Sequence, residues 1–269
     1  MIRTSLVAAA VAVASIGANA TIAYDQNVTP GIIFGSGNIN GGFTTDSANG
    51  VELGLRGKLR HNATGAPENT FNSNGDGTYG FAAGQAFNQA AGTAVWSFEW
   101  SINTDTSGTT GQFLDDYTYM LGIDSDASQG TNYMMFDLIN GGDPTKGNRI
   151  CYDHSMGTNA TTAANDVRIA NCDAGGAAAS ATYVAALAAN SVAQNSWKPS
   201  WFFNIDPAVD GTYNFFLSAS NASGEVARTD IQIIVGQGGA AVVPEPASLA
   251  LFGVALAGLA VSRRRRQVR

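Results

Sequence analysis

The chain has 269 residues and a formal charge of −7, with 32 glycines against two cysteines and two histidines. Residues 21–243 hold eight Lys or Arg against twenty Asp or Glu, a net charge of −12, which excludes nucleic acid as a partner because phosphates need a basic footprint. That length is ample for the core of one all-β domain, and the surplus of carboxylates permits a divalent cation such as Ca²⁺.

At the amino end, Arg3 gives a short positive region, residues 6–16 an apolar core and Ala18-Asn19-Ala20 a small-residue cleavage site. This is the pattern of a secretory signal peptide over residues 1–20, so the mature chain is expected to begin near Thr21, outside the cytoplasm. Residues 35–50 and 62–80 read as long loops or irregular edge segments. Between them Val51, Leu53, Leu55 and Leu59 alternate with small or polar residues such as Glu52 and Arg56, the pattern of a half-buried strand. Residues 94–102 repeat the alternation with Ala94, Trp96, Phe98, Trp100 and Ile102 against Ser97, Glu99 and Ser101. Residues 117–123 and 132–139 are two apolar runs flanking a turn at 124–130, a hairpin pattern. Residues 181–194 place Val184, Leu187, Ala188 and Val192 near one helical face, with Pro199 limiting extension. Residues 201–205, 212–220 and 225–235 are further strands. The last two, joined at Asn221-Ala222-Ser223-Gly224, resemble the terminal hairpin of many bacterial surface β-sandwich modules. Seven or so strands without alternating helices predict an all-β fold, a single jelly-roll-like β-sandwich with one short helix over residues 21–236, followed by a linker at 237–243.

The tail is the most specific part of the sequence. Pro244, Glu245 and Pro246 lead into an apolar run at 247–261, and Arg263, Arg264, Arg265 and Arg266 follow within the basic segment 263–269. By the positive-inside rule the run lies in the bilayer with the arginines on the cytoplasmic side. About fifteen residues at ~1.5 Å rise span roughly 22 Å, short of the ~30 Å hydrocarbon core, which favours a transient transmembrane helix over a permanent anchor. Triplet, apolar helix and arginine cluster in this order resemble the PEP-CTERM sorting signal of Gram-negative bacteria. The resemblance implies recognition by an exosortase-type membrane transpeptidase, a passing stage in the inner membrane, and delivery to the cell surface or extracellular matrix.

Candidate chemistry in the exported part is sparse. Asn72, Asn74 and Asp76, followed by Gly77, match the opening of a calcium loop, but Ala83 occupies the twelfth position where that loop requires Glu. Asp124, Asp126 and Ser128 form a similar fragment, and a Gly/Asn turn is the alternative for both. Glu99 lies on the strand face opposite Trp96 and Trp100, without the second carboxylate a glycosidase needs, and reads as a solvated side chain. Asp153-His154 lacks a nucleophile elbow, and His61 and His154 read as surface or loop histidines. Trp96 and Trp100 are assigned to the core, Trp197 and Trp201 to partial exposure. No catalytic set and no firm cofactor emerge. The expected function is that of a non-enzymatic exported surface or matrix protein. A carbohydrate- or calcium-binding module acting on exopolysaccharide and an extracellular hydrolase are the alternatives.

Cys151 and Cys172 are the only thiols of a chain bound for an oxidising compartment, and a lone pair without clustered histidines is a poor zinc site. A disulfide between them is expected, contributing roughly 3 kcal/mol by constraining the unfolded chain. Mass spectrometry of the non-reduced mature protein should find one peptide linking the two cysteines and no separately alkylated thiols.

Overall fold

Two sheets face one another across a shared apolar core in the computed structural model, which describes residues 21–140, 152–169 and 176–240. In chain order the strands are β1 (Thr21–Gln26), β2 (Phe43–Ala48), β3 (Val51–Leu59), β4 (Thr78–Phe81), β5 (Trp96–Asn103), β6 (Thr118–Asp124), β7 (Tyr133–Phe136), β8 (His154–Gly157) and β9 (Val167–Ile169). Helix α1 (Gly176–Leu187) precedes β10 (Val192–Trp197), β11 (Gly211–Asn221) and β12 (Gly224–Val235). One sheet runs β1-β2-β3-β5-β10-β8-β9, the other β4-β12-β11-β6-β7. Every pairing is antiparallel except β4 against β12.

Period-two patterning places one set of residues from each strand between the sheets. Leu53 and Leu55 of β3 and Trp96, Phe98 and Trp100 of β5 meet Tyr213, Phe215 and Leu217 of β11 and Ile231 and Ile233 of β12. Trp96 packs at 5.5 Å from Tyr213 and 6.2 Å from Phe215, and Phe98 at 4.7 Å from Phe215, measured between ring centroids. Gly57 lets the sheets close together: a Cβ there would lie 2.8 Å from Phe81 and 2.9 Å from the Tyr79 side chain.

The strand expected at 51–59 is β3, and those expected at 94–102, 117–123, 212–220 and 225–235 are β5, β6, β11 and β12 within a few residues. The 124–130 turn joins β6 to β7 because the Asp124 carboxylate accepts from the Asp126 N–H at 3.0 Å and the Asn132 N–H at 2.8 Å. β7 ends at Phe136, short of the expected 139, where Asp137 turns the chain by accepting from the N–H groups of Ile139 and Asn140.

Other expectations need correction. The helix expected at 181–194 occupies Gly176–Leu187, and Asn190 stops it by donating to the Ala186 carbonyl at 2.7 Å. Its buried residues are Tyr183 and Leu187, whereas Val184 is 56% exposed. Residues 192–197 form instead the central strand β10, paired on both sides, where ladder hydrogen bonds outweigh local helical periodicity. At 201–205 there is no strand, because Pro199 opens a 3₁₀ turn, Pro199–Trp201, with its fixed φ. Of the regions read as loops or irregular edge segments, 35–50 contains strand β2 at 43–48, and the end of 62–80 enters β4, an edge strand of its sheet. Trp197, expected to be partly exposed, is buried against Trp100 at 5.1 Å between ring centroids.

Cys151, Cys172, residues 1–20 and the sorting segment 244–269 lie outside the described residues. Among the described residues no helix is long and apolar enough to cross a membrane. The described start of the expected linker runs back along the domain: Gly239 N–H donates to Thr212 Oγ1 at 2.8 Å, and Gln129 N–H to the Ala240 carbonyl at 3.0 Å.

His154 is a core residue of β8, not the surface or loop histidine expected. It is 1% exposed, between Trp100 at 5.9 Å and Tyr183 at 5.8 Å, and its Nδ1 lies 2.7 Å from the Tyr152 carbonyl, which fixes the proton on Nδ1. Burial lowers its pKa to about 4, against a smaller opposing effect of that hydrogen bond. The unfolded chain takes up the proton near the ordinary ~6.5, so the stability tied to neutral His154 is complete above that pH and is lost as pH falls toward 4. Urea unfolding between neutral pH and about pH 4.5 should show a loss of roughly 2–3 kcal/mol from this group, which His154→Phe removes from the pH slope.

Candidate functional site

The side of the seven-stranded sheet turned away from the core is polar in sequence, yet it is covered. Alternation turns Arg56 and Lys58 of β3, Ser97, Glu99 and Ser101 of β5, and Gln194 and Ser196 of β10 to this side, and the segment 27–42 lies over much of it. Its polar side chains hold that segment by its backbone. Gln194 Oε1 accepts from Ile33 N–H at 2.9 Å, Asn103 Nδ2 donates to the Thr29 carbonyl at 2.7 Å, and Glu52 Oε1 accepts from Thr29 N–H at 2.7 Å. Val28, Ile33, Phe34 and Phe43 are buried outside the main core cluster, giving the cover an apolar layer of its own.

Under the cover sits a buried charge cluster. Glu99, expected to be solvated, is fully buried; its Oε2 accepts from Arg56 Nε at 2.7 Å and also pairs with Arg56 Nη2. Lys58 Nζ lies 3.4 Å from Glu99 Oε1 and bonds Asn38 Oδ1. The Arg56 guanidinium lies 4.2 Å from the Phe43 ring centroid and 3.8 Å from that of Phe71, and it also donates to the Gly41 carbonyl. Burial lowers the pKa of both Arg56 and Lys58, while Glu99 pulls each back up. Glu99 therefore serves as a structural counter-ion, two of whose cationic partners come from one strand.

Beside this cluster the cover leaves a cavity of about 310 Å³, bordered by Lys58, Arg60, His61, Asp153, Ser155 and Arg168 among others. Arg60 Nη1 donates to Ser196 Oγ at 2.9 Å, and its guanidinium lies 5.7 Å from the ring centroid of Trp201, which is 45% exposed as expected. Lys198 approaches the same ring at 5.9 Å. Burial lowers the pKa of Arg60 and Lys198, and the Arg60 charge lowers that of Lys198 further. His61 lies in a loop, as one of the two expected settings has it, but is only 8% exposed, with Nδ1 3.2 Å from the Gly65 carbonyl. Both histidines border this cavity, an arrangement their separation in sequence conceals.

The calcium-loop candidates serve turns. Asp76 Oδ1 accepts from Thr78 N–H at 2.9 Å and Thr78 Oγ1 at 2.7 Å, Asn74 Nδ2 donates to Thr78 Oγ1 at 2.8 Å, and Asn72 Nδ2 donates to the Gly80 carbonyl at 2.8 Å. Asp126 Oδ1 accepts from Ser128 N–H at 2.9 Å, and buried Asp124 also accepts from Asn214 N–H and Nδ2. Among the described residues no three His, Cys, Asp or Glu side chains converge. In Asp153-His154 it is the Asp153 carbonyl that is used, accepting from Trp197 Nε1 at 3.2 Å, while His154 is held by Tyr152.

Residues 242–266 match the family model of the PEP-CTERM protein-sorting motif. The match supports a PEP-CTERM sorting-domain protein: the motif is a recognition signal for exosortase processing and indicates export toward the cell envelope. No curated protein and no solved structure matches the chain.

Removing the Glu99 charge strands two buried cations. Glu99→Gln is expected to cost ~3–5 kcal/mol in chemical denaturation, whereas joint replacement of Arg56 and Glu99 by apolar residues of similar volume should cost clearly less.

Proposed function

We propose that this chain, which carries a PEP-CTERM sorting motif, is a non-enzymatic protein of the cell surface or extracellular matrix. The observation that carries the reading is the match over residues 242–266, where Pro244-Glu245-Pro246 precede the apolar run and the four arginines. In this reading the signal peptide is removed near Thr21 and residues 247–261 hold the chain transiently in the inner membrane. The arginines keep the carboxyl end on the cytoplasmic side. Exosortase then acts at the Pro-Glu-Pro segment, which the prolines keep extended because each restricts the residue before it. Release leaves a single jelly-roll-like sandwich outside the cell, stapled by Cys151 and Cys172.

The non-enzymatic part is supported by how the candidate catalytic groups are spent. Glu99 is committed to Arg56 and Lys58, and His154 to a backbone carbonyl. Calcium has no observation in its favour beyond the two loop fragments. The binding-module alternative has one, the cationic cavity on an otherwise acidic domain.

Replacing Pro244, Glu245 and Pro246 by alanine should leave full-length protein in the inner membrane, while the unmodified chain loses its tail and reaches the surface or medium. Fractionation followed by detection of the Arg263–Arg266 segment checks this. Identical fractionation of the two forms, both retaining the arginines, makes the tail an ordinary anchor.

A further inference from the structure

The cations of this acidic chain are unevenly placed. Of the eight Lys or Arg in residues 21–243, Lys58, Arg60 and Arg168 border one cavity, Arg56 is coupled to Lys58 through Glu99, and Lys198 shares the Trp201 ring with Arg60. Glu99 is already shared between Arg56 and Lys58, and among the described residues that line the cavity Asp153 is the one acidic side chain. Among the described residues neither Arg60, Arg168 nor Lys198 has an ion-pair partner. Topology creates the concentration, since β9 carries Arg168 at the sheet edge beside β8, while Lys58 of β3 and Arg60 just past its end lie on the far side of β5 and β10. Like charges gathered this way repel one another, and a bound anion relieves the repulsion.

The surroundings narrow the anion. The cavity is at the small end of the ~300–1,000 Å³ typical of small-molecule sites, and its wall mixes guanidinium groups with neutral polar side chains, Ser36, Ser155 and Ser196 among them. Planar guanidinium groups match a carboxylate bidentately, and the hydroxyl side chains of the wall match ring hydroxyls. We propose that this cavity binds a carboxylated sugar unit of an acidic polysaccharide, with its carboxylate between Arg60 and Arg168. Binding itself is independent of tail processing. Only the source of the ligand, a polysaccharide outside the cell, rests on the reading that the domain is displayed there.

The test is calorimetric titration of the full-length chain, purified in mild detergent at low ionic strength, with tetragalacturonate, maltotetraose and inorganic phosphate as separate probes. Binding of tetragalacturonate alone is expected, weakened by added salt and by about tenfold or more in Arg60→Gln and in Arg168→Gln. Arg168 is exposed, so its variant should melt at the temperature of the unmodified chain and decides the matter should Arg60→Gln, which loses the bond to Ser196, be destabilised. Equal binding of maltotetraose, binding of phosphate as tight as that of the uronate, no uronate binding, or uronate binding unchanged in a folded Arg168→Gln variant would each overturn the proposal. None of these outcomes depends on whether the tail is cleaved.

Discussion

The buried ion pair between Arg56 and Glu99 holds the outer half of this molecule together. A carboxylate with no exposure to water is costly unless cations and hydrogen-bond donors surround it, and here β3 supplies both Arg56 and Lys58. The same guanidinium lies against Phe43 and Phe71 and donates to the Gly41 carbonyl, so one side chain ties sheet, cover and following segment together. With the cover fixed on that anchor and on Gln194, Asn103 and Glu52, the polar side of the seven-stranded sheet becomes an interior with a cavity at its edge. A second structural layer thus arises without a second sheet.

Local pattern revealed the strands that present one apolar face to the core and another side to polar surroundings. β3, β5, β11 and β12 alternate cleanly, and the Asp124 turn carries its own hydrogen-bonding chemistry. β10 has no such legibility, because it is paired on both sides and its polar residues Gln194 and Ser196 are enclosed by the cover. β2 hides for a related reason: Thr44, Thr45 and Asp46 are buried, with Thr44 bonded to the Tyr79 hydroxyl at 3.0 Å and Asp46 to the Arg228 N–H at 2.8 Å. β8 and β9 are only four and three residues long, too short to show a period. Glu99 is buried against expectation because alternation tells which way a side chain points, while solvation depends on what other part of the chain covers it.

The same distinction separates the two functional features. A sorting motif is contiguous, and its order of triplet, apolar run and arginine cluster survives in the bare sequence. The cavity gathers residues from positions 34–38, 58–61, 153–155, 168 and 195–196, which only the strand order brings together. The net charge of −12 over residues 21–243 conceals it further, since a domain average says nothing about where its few cations stand. Tail and domain therefore divide the work in this account: a local code directs the protein outside the cell, and a folded surface meets what is there.

Everything said of the domain's role depends on its reaching the exterior without its tail, and one measurement addresses that directly. The intact mass of the protein recovered from the cell surface or medium should be below the 27.8 kDa of the full chain by the loss of both residues 1–20 and a carboxyl-terminal piece containing Arg263–Arg266. A mass matching residues 21–269, with every arginine of the tail in place, would contradict the account.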